Sequence, residues 1–144
     1  MEERKMTEED GSLKEYMLKE VDLIQNIIKR MASNSFMIKG WTITLVVVTL
    51  LLKDDNNKIL IGYIPLIVFW YLDSYFLRQE RMYRKLYNWV IKNRLNTDEY
   101  LLDMNAYRFS SEVNSTIHTM FSKTIFWFYG SIFLLLTVFI IYFS

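Results

Sequence analysis

The sequence predicts an all-α membrane protein with three transmembrane helices and a cytoplasmic antiparallel helical stalk. Three observations carry that prediction. Residues 36–52 and 125–143 are apolar runs too long for ordinary core helices, and 59–77 is nearly as apolar; a helical crossing takes about 20 predominantly apolar residues. Charged residues make up 23% of a chain that is 52% hydrophobic, and they are segregated between these runs rather than mixed into them. The flanking segments keep a helical period with few breakers, since the chain has one Pro and four Gly.

Residues 1–11, with Glu2, Glu3, Glu8, Glu9 and Asp10, read as a disordered acidic tail ending in Gly11. Ser12-Leu13-Lys14-Glu15 is a capping-box pattern, in which hydroxyl and carboxylate satisfy free amides at a helix start. Leu13, Met17, Ile24, Ile28 and Met31 then recur at helical spacing, widened by Tyr16, Leu23 and Ile27. Residues 12–35 are thus an amphipathic cytoplasmic helix, with Ser33-Asn34-Ser35 as the one candidate break. Transmembrane helix 1 covers 36–52, with Lys39 placed to snorkel and Trp41 suited to the headgroup level. Residues 53–58 form a polar external turn. Transmembrane helix 2 covers 59–77, with Gly62 and Pro65 in its first turns, where a kink is tolerated.

The helical register continues past Leu77, with Tyr83, Leu86, Tyr87 and Val90 on one face. Together 59–95 would be about 55 Å long at 1.5 Å per residue. That exceeds the ~30 Å hydrocarbon core, so the extension reaches water, where it can bury its apolar face against 12–35. Asn96-Thr97-Asp98-Glu99 reads as a stop, followed by a short helix over 100–107. Ser110-Ser111-Glu112 reads as a restart leading through Ile117 and Phe121 into transmembrane helix 3, 124–143. The region 78–123 is assigned as a whole to the cytoplasm. Phe126, Trp127 and Tyr129 form an aromatic belt where helix 3 enters the membrane.

Composition excludes several function classes. The chain has 144 residues and a net charge of +1, so no global field steers nucleic acid. With no Cys and one His, it carries no disulfide, thiolate nucleophile or Cys-based metal site. Asp98, Glu99, Asp103 and Glu112 are spread too widely for a catalytic pair. No catalytic residue, metal or cofactor is expected, and no cleavable signal peptide.

Four positions stand out as pore or ion-pair candidates: Lys39, Asp73, Gly130 and Thr137. Asp73 is the one carboxylate inside a crossing, which is costly and therefore points to a role. It can pair with Lys39, or it can line a ring that draws cations to a pore mouth. Lys123, Gly130, Thr137 and Ser144 recur every seven residues on one helix face, which suits close helix packing or a pore lining. Thr42 and Thr49 make a weaker stripe. Arg78, Arg81, Arg84 and Lys85 put four positive charges beside the membrane, as a headgroup contact or as an anion site for a nucleotide or oligonucleotide signal.

Lys29-Arg30-Met31-Ala32-Ser33-Asn34-Ser35-Phe36 leading to Lys39-Gly40-Trp41 is similar to a pattern that recurs in small prokaryotic membrane proteins. So is Phe69-Trp70-Tyr71-Leu72-Asp73-Ser74-Tyr75-Phe76-Leu77-Arg78-Gln79-Glu80-Arg81, and so is Ser122-Lys123-Thr124. The architecture resembles the SLATT-like membrane effectors of antiviral defence operons, with one crossing more than their two-crossing plan. That resemblance implies a homo-oligomer that permeabilises the inner membrane when a sensor or nucleotide-signalling partner triggers it. The expected function is therefore an oligomeric gated membrane pore that collapses ion gradients. The alternative is a non-conducting membrane anchor whose stalk docks a soluble enzyme or sensor.

Basic residues set the expected sidedness in the bacterial inner membrane. Six precede residue 36, eight fall in 78–123 and two fall in the turn, which places the N-terminus and 78–123 in the cytoplasm and Ser144 outside. Reporter fusions after Asn57, Asn96 and Ser144 are expected to read outside, inside and outside. A cytoplasmic signal at Ser144 removes the third crossing or reverses the scheme.

Overall fold

The computed structural model describes residues 2–51 and 60–143, with side chains over 11–51 and 61–142. Among these residues every regular element is helical. Helix α1 runs Glu2–Leu51, a 3-10 turn at Leu60–Gly62 leads into α2 at Tyr63–Asn93, and a second 3-10 helix spans Ala106–Glu112. Short α3 (Thr116–Met120) and then α4 (Lys123–Phe143) complete the chain. The expected external turn at 53–58 lies outside the described residues.

The chain forms two compact units, and both long helices contribute to each. The first combines Met1–Met31 with Gln79–Val113, and the second combines Ala32–Arg78 with Asn114–Ser144. Within the first, Glu20 of α1 meets Arg94 beyond the end of α2, and Gln25 meets Tyr87. Within the second, Lys39 meets Asp73, and Thr49 lies against Gly62. Rising numbers on α1 pair with falling numbers on α2, so the helices are antiparallel in each unit.

The first unit has its own core of Ile24, Met82, Leu86, Val90 and Ala106, supported by Met17, Val21 and Ile28 of α1. This is the apolar stripe expected from the spacing, except that Leu23 faces out, 48% exposed. The second unit packs Leu66 of α2 on Ile125 and Tyr129 of α4, and Val46 of α1 on Leu136. Gly62 allows close approach here, since a Cβ at this position would stand 3.4 Å from Thr49 and 3.5 Å from Leu136.

Two helices are long and apolar enough to cross a membrane among the described residues, within Gly11–Leu51 and over Lys123–Tyr142. The third expected run, 59–77, lies mostly in helix α2, Tyr63–Asn93, which is not one of these two. Its exposed side chains are nonetheless apolar: Ile61, Ile64, Ile67 and Val68.

Four boundaries differ from the sequence reading. The backbone is helical from Glu2, without a start at Ser12; Glu, Arg, Lys and Met, good helix formers, dominate residues 2–9. No break occurs at Ser33-Asn34-Ser35, because the Ser35 hydroxyl donates to Asp73 rather than competing for its own backbone. Residues 99–102 form turns instead of the short helix expected over 100–107, with Tyr100 and Leu102 at φ 57° and 58°. The restart is not at Ser110 but at Ser115, whose side chain accepts from the His118 N–H and caps α3.

One buried ion pair organises the first unit. The Arg94 Nε donates to Glu20 Oε2 at 2.6 Å and its Nη2 donates to Oε1 at 2.9 Å, with both side chains fully buried. The rest of the fork donates to the carbonyls of Thr97, Glu99 and Tyr100, at 3.0, 2.8 and 3.0 Å. Glu20 Oε1 also accepts from the Leu102 N–H at 2.7 Å. These bonds hold the backbone from Thr97 to Leu102 in the turn conformation.

Removing one partner leaves a buried charge. Glu20→Leu or Arg94→Met is expected to cost about 3–5 kcal/mol, whereas the double replacement Glu20→Leu/Arg94→Met costs less than the sum. Thermal melts of the four proteins in detergent check this; additive losses would mean that the pair is not coupled.

Candidate functional site

Two polar clusters interrupt an otherwise apolar interior. In the second unit, Asp73 of α2 is fully buried. Its Oδ1 accepts from Ser35, and its Oδ2 lies 2.6 Å from the Lys39 ammonium as a charge contact rather than an aligned hydrogen bond. Lys39 donates to Ser35 Oγ at 2.9 Å, and its ammonium lies 5.9 Å from the Phe128 ring centre. Lys39 and Ser35 sit one turn apart on α1, so two residues of one helix close on a single carboxylate. The buried Tyr129 hydroxyl of α4 lies beside Thr42 and Asp73 without a well-aligned bond to either.

The geometry is that of a closed pair. The Asp73 side chain has no exposed surface, and the Lys39 side chain is 23% exposed. Of the two roles open to Asp73 in the sequence, the ion pair with Lys39 is the one formed within the chain. Ser35, the third member, carried no sequence signal beyond its place as a candidate helix break.

Thr137 also turns inward. Its hydroxyl lies 2.7 Å from the Tyr63 hydroxyl and donates to the Phe133 carbonyl at 2.8 Å, so it links α2 to α4. Gly130 has no neighbour within 4 Å of a built Cβ, and it borders an outward apolar groove with Trp70, Phe126, Trp127 and Leu134. The two members of the seven-residue pattern therefore play different parts. Trp70 fixes the base of the groove by stacking on Tyr129, with ring centres 5.8 Å apart, and by donating to the Met120 carbonyl at 3.0 Å. Thr42 and Thr49 each donate back to their own helix, at 2.8 Å, to Ile38 and Leu45.

The basic run does not form an open anion site. Arg84 pairs with Glu80 at 2.6 Å and Lys85 with Glu112 at 3.1 Å. Arg78 donates to the Asn114 carbonyl at 3.2 Å. Neither Arg78 nor Arg81 makes an ion pair among the described residues. Three of the four side chains are thus engaged, Arg84 by Glu80 one turn back on its own helix and Lys85 and Arg78 by residues distant in sequence.

The second cluster lies in the first unit and was not singled out from the sequence. Beside the Glu20–Arg94 pair, the Arg108 guanidinium carbon lies 4.3 Å from the Trp89 ring centre, 4.6 Å from Tyr100 and 5.1 Å from Phe109. Its three nitrogens are shielded from solvent and have no hydrogen-bond partner. The available signal was Glu20, a carboxylate on the stripe between Met17 and Ile24, and Arg94, one turn beyond Val90 on the matching face of α2.

No family model matches the chain, and no curated protein or solved structure matches it.

The Lys39–Asp73 pair predicts a specific pattern of rescue. Lys39→Asp and Asp73→Lys, each made alone, should lower stability by about 3 kcal/mol or more, because each sets like charges side by side in a buried place. The exchange Lys39→Asp with Asp73→Lys should recover part of that loss, because Ser35 can accept from an ammonium at 73. Folded yield and melting temperature in detergent check it; strictly additive losses would dissolve the pair.

Proposed function

We propose that the chain is a membrane-embedded helical adaptor: the second unit sits in the bilayer, and the first unit, in the cytoplasm, docks a soluble partner. The observation that carries this reading is the contrast between the units. The second exposes apolar side chains on all three of its long helices, among them Trp41, Val47, Ile64, Val68, Leu135 and Ile141. In water so much apolar surface is unfavourable, whereas in lipid it is the normal exterior. The apolar half of α2 packs on Ile125 and Tyr129 of α4 through Leu66, which supports a third pass beside α4. The first unit has a separate core and a buried ion pair, enough to hold a defined surface in water.

A second reading is the oligomeric pore of the antiviral-effector type, in which several copies surround a path. The open groove at Gly130 favours it, since a small residue without a neighbour suits close approach of a second helix. On this reading Lys39 and Asp73 would have to separate before the path carried charge.

Vesicle reconstitution distinguishes the two. Under the adaptor reading, the protein stays with the vesicles through an alkaline carbonate wash and planar-bilayer recordings show no stepwise current. Reproducible currents that lose cation preference in Asp73→Asn would establish the pore instead. Release by carbonate would remove both readings.

A further inference from the structure

Arg94 and Arg108 flank the same indole, Trp89, at 5.3 and 4.3 Å from its centre, and their hydrogen bonding is opposite. All three nitrogens of Arg94 donate, to one carboxylate and three carbonyls. None of those of Arg108 does, although each is shielded from water. A guanidinium carries five N–H donors, and buried donors almost always find acceptors. Aromatic faces attract the cation, but they do not replace the acceptors.

A separate observation falls on the same turn. Tyr100 and Leu102 hold left-handed backbone conformations, at φ 57° and 58°. Bulky residues are disfavoured there, whereas Gly or Asn adopt the region readily. The side chains kept at these positions are not used to fill the core: Tyr100 is 51% exposed and Leu102 47%, and Leu101 between them is 37% exposed. Large apolar side chains on strained backbone, left uncovered by their own chain, point to use by something outside it.

We propose that the turn at 100–102, with Arg108 beneath it, is the docking site for a segment of a partner protein that carries a carboxylate flanked by apolar side chains. The proposal rests on the adaptor reading above. The Tyr100 ring, 51% exposed, is the outer wall beside the guanidinium, so docking turns it away from Arg108 and from its edge contact with Trp89. The incoming carboxylate accepts two N–H bonds from the planar fork, and the flanking apolar side chains cover Leu101 and Leu102. Asp98, Glu99 and Asp103 lie in the same loop, but none pairs with Arg108 among the described residues; the Asp103 carboxylate accepts from the Asn105 N–H at 2.9 Å. A phosphate or nucleotide fits less well: Arg94 is already spent, a single guanidinium remains, and the leucines offer nothing to a phosphate.

The test uses the full-length protein in detergent and a random-peptide phage library, followed by binding of the recovered sequences as synthetic peptides. Peptides with Asp or Glu next to Leu, Ile or Phe should be enriched. Their affinity should fall at least tenfold in Arg108→Gln, with a smaller loss in Arg108→Lys. Leu102→Asn is the decisive variant, because it suits the left-handed backbone: it should melt at or above the parent temperature and yet lose at least tenfold in affinity. It also decides the matter if Arg108→Gln does not fold. Peptides without acidic enrichment, or binding that survives Leu102→Asn, would overturn the site, and so would recovery of no peptide. Inorganic phosphate or ATP bound in an Arg108-dependent way would replace it with a small-anion site. Peptides that bind the first unit but ignore both variants would sink this site while leaving the adaptor reading intact. Pore currents in the vesicle experiment would remove the adaptor reading itself.

Discussion

The first unit depends on the Glu20–Arg94 pair more than on any other contact. Burying two charges is costly, and attraction between them offsets the cost only when the remaining donors and acceptors are also satisfied. Here they are: the pair is bidentate, and the rest of the guanidinium is consumed by the backbone of the following loop. The same carboxylate holds the Leu102 N–H. One interaction therefore sets the register of α1 against α2, ends the helical path after Asn93 and shapes the turn that follows. A slip of one helical turn would strand both charges in the core formed by Ile24, Met82 and Leu86.

The second unit uses a similar device with a different result. Lys39 and Asp73 join α1 to α2, but Ser35 stands between them, and no long loop is attached to either. That pair fixes helix register in an apolar setting and builds nothing beyond it. The Tyr63–Thr137 contact does the same between α2 and α4. Polar groups in this unit are spent on holding helices together, which matches the few polar side chains that it turns outward.

The long elements were legible in the sequence because hydropathy and helical spacing are local signals. The Lys39–Asp73 pair was legible too, since both charges stand alone within apolar runs. The loop between α2 and α3 was not. Its conformation is imposed by Glu20, which lies 74 positions from Arg94 in sequence, and local propensity toward a short helix at 100–107 yields to that distant carboxylate. The basic run was misread for a related reason. Counting Arg78, Arg81, Arg84 and Lys85 as one patch ignores Glu80 on the same helix and Glu112 across the unit, which neutralise two of the four. Glu20 itself left a trace, as a carboxylate on an apolar stripe, and such a residue calls for a partner wherever it occurs.

The disposition of charge bears on the choice between adaptor and pore. With the three crossings proposed, a single chain cannot enclose a path, so any pore must be lined by surfaces that the chain turns outward. Among the described residues of the second unit those surfaces are mainly apolar, and the buried carboxylate of Asp73 faces inward onto Lys39 and Ser35. A path built from such faces would be a hydrophobic constriction, which resists wetting and the passage of ions. Conduction would require the helices to rotate and part the Lys39–Asp73 pair, exposing charges that the present packing satisfies. Docking through the first unit requires no such change. Its unused donors, on Arg108 of the second 3-10 helix, already lie against the turn that carries its uncovered side chains, and that turn is held by an ion pair that has no spare bonds to give.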